Sequence, residues 1–454
     1  MLIAVHGCVE EDGAPPNIIL ITADDMGLNT GRYGDDTAPT PNLDRLADEG
    51  ILFTRAYVTQ SSCSPSRSSI LTGLYPHQNG QLGLANAGFS MKPGVPNLPT
   101  ILYEHGYYTG SVGKIHVEPE SELHFDFKHT YITRDVYVIA HLVDEFISLQ
   151  DSMPFFLMIG YSDPHKTKNQ YMGAIKVDGI PEIPLNEDEV QPFDFVGLNT
   201  KLIRQVTAGY YNCVERLDVG VGLIMDVLAR HQLSDKTVVA FISDNGPPFT
   251  RAKTTCYEAG VRVPFIVRWP GMKKGVVRDE LVSTVDILPT ILDAAGIEPP
   301  DGVCGSDLRL LLRGRRAGWR ETVCTEYNAH GAKGFYPRRA IRNERYKLIL
   351  NLLPELDGPY GAVDGCPAWF TSQQDSLIGT DVREAYDTYR HPPQIELYDL
   401  RDDPVEWHNL ADDDRYRRVE TELMEQLLQW RKDTDDPYLD IEKLDADKKK
   451  YLGG

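Results

Sequence analysis

Four apolar runs in this sequence end in side chains able to hold a cation or move a proton. Asn17-Ile18-Ile19-Leu20-Ile21-Thr22 leads to Asp24-Asp25, and Val238 to Ser243 leads to Asp244-Asn245-Gly246, which puts carboxylates and an amide at two run ends. Tyr108 to Gly113 leads to Lys114 and His116, and Phe155 to Gly160 leads to Asp163-Pro164-His165, which adds an ammonium group and two imidazoles. A further segment, Ser62-Cys63-Ser64-Pro65-Ser66-Arg67-Ser68-Ser69-Ile70-Leu71-Thr72-Gly73, sets a thiol four residues before a guanidinium, the spacing of one helix face. Singly, each has a plain structural reading: Asp24-Asp25 as a cap or turn, Cys63 as a small buried hydrophobe, Arg67 as a surface ion pair, Lys114 and His116 as a solvated strand end. Four runs ending in the same way weaken that reading.

The elements that must position these groups are legible in the same pattern. Continuous apolar runs suit strands buried on both faces. Between them lie helical stretches: Thr40 to Gly50 with Pro at its first position and a terminating Gly, Pro99 to Gly106, Thr200 to about 231, and Asp286 to Gly296. Alternating strands and helices predict an α/β fold with a large, mostly parallel sheet flanked by helices, and ligands in such folds bind beyond the carboxyl ends of the strands. After about residue 315 the texture changes to strands and turns (Glu321 to Tyr327, Arg339 to Leu350, Ile395 to Leu400), closed by an amphipathic helix from about 415 to 430. The expected organisation is an N-terminal extension over 1–16, a catalytic domain over 17–315, and a smaller α+β subdomain with an antiparallel sheet over 316–454. The Pro- and acid-rich stretch Gly179 to Phe195 reads as a surface excursion near the site mouth.

Composition narrows the function. With 454 residues and an ordinary hydrophobic fraction of 41%, the chain can bury a large core. Lys plus Arg is 46 against 67 for Asp plus Glu, a net charge of −21, which argues against nucleic acid or an anionic membrane as partner. Seven cysteines without a CxxC pair indicate neither a zinc ribbon nor a disulfide framework. Leu2 to Cys8, followed by Glu10-Glu11-Asp12, resembles the tail of a bacterial lipoprotein signal, and a disordered extension is the equal alternative. A periplasmic, lipoprotein-anchored or extracellular location is therefore expected, with the cytoplasm as the other option.

The segment from Ser62 to Gly73 resembles the signature of the type I sulfatases, Cys-x-Pro-Ser-Arg followed by Leu-Thr-Gly, in which the cysteine is oxidised to Cα-formylglycine. The likeness extends from Asn17 to the closing Glu396-Leu397-Tyr398-Asp399-Leu400, Asp403-Pro404 and Asn409-Leu410. His77-Gln78-Asn79-Gly80, Gly113-Lys114-Ile115-His116-Val117 and Asp163-Pro164-His165 look most like the N-sulfoglucosamine sulfohydrolase (sulfamidase) branch. The resemblance implies an alkaline-phosphatase-like sulfatase fold and attack on sulfur by one hydroxyl of a formylglycine hydrate. The second hydroxyl then releases sulfate.

By the same resemblance Asp24, Asp25, Asp244, Asn245 and residue 63 bind a cation, Ca²⁺ with Mg²⁺ as alternative. Arg67 holds the hydrate, Lys114 binds sulfate, His116 assists its release, and His165 protonates the leaving group. For the basic residue after Asp244-Asn245, spacing favours Lys253, with Arg251 as runner-up. Implied partners are a sulfated sugar and a formylglycine-generating enzyme; a homodimer is left open. One departure bears on substrate: Gln81 to Met91 falls where sulfamidases carry a histidine-rich stretch and contains no histidine. Tyr327, His330, Tyr336 and Arg338 could close over a sugar or be scattered surface polarity. An O-sulfatase, a phosphonate or phosphodiester hydrolase of the same superfamily, and an inactive sulfated-glycan-binding protein are the competing readings.

Overall fold

The computed structural model describes residues 15–131, 133–150, 153–166, 179–358 and 367–453. The N-terminal Leu2 to Cys8 pattern and Cys366 lie outside them. Among the described residues, nine strands form one sheet: β1 (Asn17–Asp24), β2 (Ile51–Tyr57), β3 (Tyr108–Gly113), β4 (Phe127–His129), β5 (Phe155–Pro164), β6 (Thr237–Ser243), β7 (Arg262–Arg268), β8 (Val276–Arg278) and β9 (Val282–Ser283). Their order is β4-β3-β5-β1-β6-β7-β2-β8, with β9 also on β2. Only β7 runs against the rest, pairing antiparallel with both β6 and β2.

The strands are apolar throughout because both faces are covered. Along β1, Ile19 and Ile21 enter one core while Ile18 and Leu20 enter the other. β5 divides in the same way, Phe155, Leu157 and Ile159 from Phe156 and Met158. This is the period-2 alternation of a strand between two helical layers. The 30-residue helix Lys201–Arg230, capped by Thr200 Oγ1 accepting from the Ile203 N–H, covers the first face with Val136–Leu149. Ile287–Ala294 packs on the second.

A second, four-stranded antiparallel sheet follows: β10 (Val323–Tyr327), β11 (Arg338–Arg342), β12 (Tyr346–Asn351) and β13 (Ile395–Asp399). The run Arg339 to Leu350 is thus two strands, because Asn343 Oδ1 accepts from the N–H groups of Arg345 and Tyr346 and folds the chain back. One face of this sheet packs Ile341, Leu348 and Leu397 against Leu423 and Leu427 of the helix Arg417–Asp433. The other sets Tyr327, Ala340, Ile349 and Tyr398 against Cys256, Tyr257 and Phe89, beside the carboxyl ends of the large sheet. A last helix, Ile441–Leu452, was not anticipated from sequence. The Gly179 to Phe195 stretch is irregular but anchored: Val190 is buried, and the Leu185 N–H donates to Asn212 Oδ1 at 2.8 Å. Among the described residues no helix is long and apolar enough to cross a membrane.

Candidate active site

β3, β5, β1 and β6 are parallel neighbours, so their polar ends converge at one edge of the sheet. Asp24 closes β1, and Asp25 follows in left-handed backbone at φ 71°. Aspartate tolerates that region better than most residues. Two bonds hold the turn: Asp25 N–H donates to Asp244 Oδ1 (3.1 Å) and Met26 N–H to Ser243 Oγ (2.8 Å). Both carboxylates consequently reach the same thiol, with Cys63 Sγ 3.4 Å from Asp24 Oδ1 and 3.8 Å from Asp25 Oδ1.

β3 ends at Gly113, at φ 85°, pressed against Gly160 of β5. A Cβ on Gly113 would meet the Gly160 carbonyl oxygen at 2.3 Å, so only glycine permits this approach. It brings in Lys114, whose Nζ donates to Asp24 Oδ2 at 2.6 Å. His116, itself at φ 58°, stands at the rim with Nε2 3.3 Å from Asn86 Oδ1.

Cys63 opens the helix Cys63–Thr72, every residue of which is buried, and Arg67 follows one turn on. The guanidinium donates from Nε to Asp244 Oδ2 (2.7 Å) and from Nη1 to Thr22 Oγ1 and the Lys114 carbonyl (both 3.0 Å). Arg67 therefore braces three strand ends, and its link to Cys63 runs through Asp244 and the helix. Lys253 reaches further in: Nζ is 2.5 Å from Asp25 Oδ1 and 3.1 Å from Cys63 Sγ. Arg251 turns away to the carbonyls of Ala385, Val405 and Glu406. His165 points Nδ1 at the Lys166 carbonyl (2.6 Å), which fixes the proton there and leaves Nε2 3.8 Å from Asp25 Oδ2. His105, His231 and His391 lie elsewhere, on the Ile101 carbonyl, Asp144 and Asp357 respectively.

Burial works against every charge here, and pairing decides the outcome. It would raise Asp24 and Asp25, but Lys114 and His165 for the first and Lys253 for the second hold both below the ordinary carboxylate range. Asp244 is pushed up to about 6, burial outweighing Arg67. Burial also pushes the Cys63 thiol up, beyond what Lys114 and Lys253 can offset, so an unmodified thiol stays protonated near neutrality. Burial and Lys114 lower His116 to about 3, and burial lowers His165.

Among the carboxylate and amide oxygens at these strand ends, Asp25 Oδ2 and Asn245 Oδ1 are buried without a hydrogen-bond partner among the described residues. Donor atoms of Asp24, Asp25, Cys63 and His165 lie within 4.8 Å of one another. Clustered carboxylates, an amide oxygen and unsatisfied lone pairs fit a hard divalent cation. Asp24, Asp25 and Asp244 already face three cationic side chains, Arg67, Lys114 and Lys253. A bound dication would therefore give the pocket a positive surplus, the condition for holding a sulfo group.

Sequence reasoning missed Arg134 and Arg216 as braces of this constellation, and it named His330 without its contact to the signature segment. Asp163 is gripped by Arg216, with Nε to Oδ2 at 2.7 Å and Nη2 to Oδ1 at 2.8 Å, and by Arg134, which also donates to the His165 carbonyl. Ser62 Oγ meets His330 Nδ1 at 2.9 Å across 268 residues of sequence. No local pattern announces either contact.

Comparison with known proteins identifies the family. The Sulfatase family model matches residues 16–297, and the model for the C-terminal part of N-sulphoglucosamine sulphohydrolase matches 251–354. The chain is 34% identical to human N-sulphoglucosamine sulphohydrolase across 94% of its own length and 91% of that protein. It is 28% identical to an ulvan-active sulfatase of Formosa agariphila, covering 92% and 80%. The structure of BT4656 in complex with its substrate D-glucosamine-2-N,6-O-disulfate superposes with a TM-score of 0.69 at 22% identity, over 93% of this chain and 98% of that one, a likeness of fold. A parallel sheet ending in this cluster, a signature helix beginning at Cys63, and a family match over most of the chain lead to one conclusion: the protein belongs to the sulfatase family.

Proposed function

We propose that the chain removes the sulfo group from a sulfated sugar, with the sulfamate of N-sulfoglucosamine as the first substrate and an O-sulfate as the second. The carrying observation is the open cluster, in which Asp25 Oδ2 and Asn245 Oδ1 lie buried and unpartnered beside Cys63 among balanced charges. Identity of 34% along nearly the whole of human N-sulphoglucosamine sulphohydrolase supports the sugar and the linkage. The absence of histidine from Gln81 to Met91 is why an O-sulfate stays in view.

Asp24, Asp25, Asp244, Asn245 and residue 63 would hold the cation, which we assign as Ca²⁺ before Mg²⁺ because Ca²⁺ accepts a set of protein oxygens whereas Mg²⁺ keeps several waters. Bound there, the cation would supply counter-charge to the sulfo group, and formylglycine at position 63 a hydrated aldehyde as nucleophile. The Sγ atom stands in for that reacting group. Lys253 and Lys114 flank it with donors that hold negative charge in place, and Arg67 fixes Asp244 and the strand ends around it. His116 handles a proton on the nucleophile side. With Nδ1 held by the Lys166 carbonyl, His165 delivers a proton from Nε2 to the departing nitrogen or oxygen as the imidazolium, the form that Asp24 and Asp25 favour against burial. Maturation by a formylglycine-generating enzyme, a domain boundary near residue 315 and an extracytoplasmic location belong to the same proposal.

The test is turnover by protein co-expressed with a formylglycine-generating enzyme and supplied with Ca²⁺. N-sulfoglucosamine, glucosamine O-sulfates, para-nitrophenyl sulfate and a nitrophenyl phosphodiester are compared. Sulfate release with N-sulfoglucosamine as the best sugar is expected. Turnover of the phosphodiester alone overturns the reading, and binding of sulfated sugar without turnover by matured protein points to a silent lectin-like protein.

A further inference from the structure

One side chain at the site comes from the region of the second sheet. His330 follows β10 in the C-terminal region, and its ring is fixed at Nδ1 by Ser62 Oγ, one residue before Cys63. Its backbone is tied down as well: the His330 carbonyl accepts from the Leu84 N–H at 2.9 Å, and the neighbouring Ala329 N–H donates to the Leu82 carbonyl at 3.2 Å. Gln60 Nε2 bridges the Leu82 and Ala329 carbonyls at 3.1 and 2.9 Å, and the Ala85 N–H donates to Ser64 Oγ at 3.0 Å. The segment around Leu84 is thereby fastened to both the signature helix and the His330 loop, and two residues on, Asn86 meets His116.

The second ring nitrogen is left free. Nε2 of His330 has no hydrogen-bond partner among the described residues, and the residue is only partly buried. The groups whose fields reach the ring, Lys253, Asp25, His165 and His116, are those of the site. Charge is divided accordingly: lysines and carboxylates surround Cys63, whereas Asn86, His116, His165 and His330 supply imidazole and amide groups around the mouth. Imidazole and amide groups of that kind can donate to or accept from a sugar hydroxyl.

We propose that His330 is a substrate-positioning residue, its free Nε2 hydrogen-bonding a hydroxyl of the sugar that carries the sulfo group, so that the C-terminal region completes the leaving-group side of the pocket. This rests on the sulfatase reading above and adds to it a specificity residue from a different part of the chain. The competing explanation is that His330 only clamps Ser62 and the start of the signature helix.

Isosteric variants separate the two. In His330→Asn the amide can replace Nδ1 and keep the Ser62 contact while losing Nε2; in His330→Gln the amide reaches the Nε2 position. Kinetics of matured wild type, both variants and His330→Ala are measured with N-sulfo-D-glucosamine and with para-nitrophenyl sulfate, which has no sugar. Loss of one neutral hydrogen bond predicts that kcat/KM for the sugar falls about tenfold more than for the aryl sulfate in Asn and Ala variants, chiefly through KM, with partial recovery in Gln. Parallel losses on both substrates, or none on either, overturn the proposal. A wild type inactive on both substrates instead overturns the sulfatase reading on which it rests.

Discussion

Two buried charge clusters meet the segment around the signature helix, and they are built to opposite specifications. At the strand ends, Asp24, Asp25, Asp244, Arg67, Lys114 and Lys253 surround Cys63 and leave Asp25 Oδ2 and Asn245 Oδ1 unpartnered. Beneath the C-terminal sheet, His77, Glu326, Arg339 and Asp436 are equally sealed, but each buried polar atom has a partner. Glu326 accepts from the N–H and Nδ1 of His77, His77 Nε2 meets the Thr434 carbonyl at 3.0 Å, and Arg339 grips Asp436 through Nε and Nη2 at 2.9 and 2.8 Å. Arg431 closes the ring on Asp436 at 2.6 Å. An unsatisfied buried group costs about 1–3 kcal/mol, so a fold that completes one network and leaves the other open retains the open one for something that binds there. Burial and charge are common to both clusters; they differ in whether every buried polar atom has a partner.

The comparison can be broken from either side. Cys63→Ala should lower turnover by at least ~10⁴-fold, as removal of a covalent nucleophile does, with a thermal midpoint within about 2 °C of wild type. Asp436→Asn should do the reverse: removing the carboxylate charge that Arg339 and Arg431 share costs about 3–5 kcal/mol, read as a fall in the denaturation midpoint, while kcat/KM per folded molecule is retained. Ca²⁺ at a hundredfold excess over its dissociation constant should stabilise wild type by about 2.7 kcal/mol, and a chelator should reverse it. Asn245→Ala should lose that increment and Asp436→Asn should keep it. If both variants respond alike to Ca²⁺, the distinction between open and closed clusters fails.

The smallest effect is an acid-side slope. Burial tends to raise Glu326, but His77 and Arg339 prevail and its carboxyl lies below the ordinary 4.5. The unfolded chain then binds more protons in that window, so stability rises with pH, is fully present above about 4.5, and is lost as pH falls through the lowered value. Glu326→Gln should flatten this part of the stability profile in calorimetry. An unchanged slope would remove Glu326 from the closed cluster's contribution.

How much was legible follows from how local each signal is. Apolar runs ending in acids, an amide, lysine and histidine need no distant information, and β1, β3, β5 and β6 put those ends side by side. The choice between Lys253 and Arg251 depended on a two-residue gap, and the geometry separates them only because Arg251 is captured by carbonyls from residues 385 to 406. Arg216 on Asp163 and His330 on Ser62 are contacts between segments far apart in sequence, and no local pattern pairs Arg216 or His330 with its partner. The run Arg339 to Leu350 looked continuous because the turn at Asn343 depends on one side-chain amide rather than on glycine or proline.

The net charge of −21 belongs to the exterior, where charges beyond ~8–10 Å are screened; at contact distance the open cluster decides what binds. In the proposed reaction position 63, once oxidised, is the reacting group. The most direct test compares preparations with different extents of maturation, measuring sulfate released from para-nitrophenyl sulfate against the fraction of residue 63 present as formylglycine in the peptide mass spectrum. A rate proportional to that fraction, reaching background in the all-thiol protein, is the predicted result; a rate independent of it would contradict the assignment of Cys63.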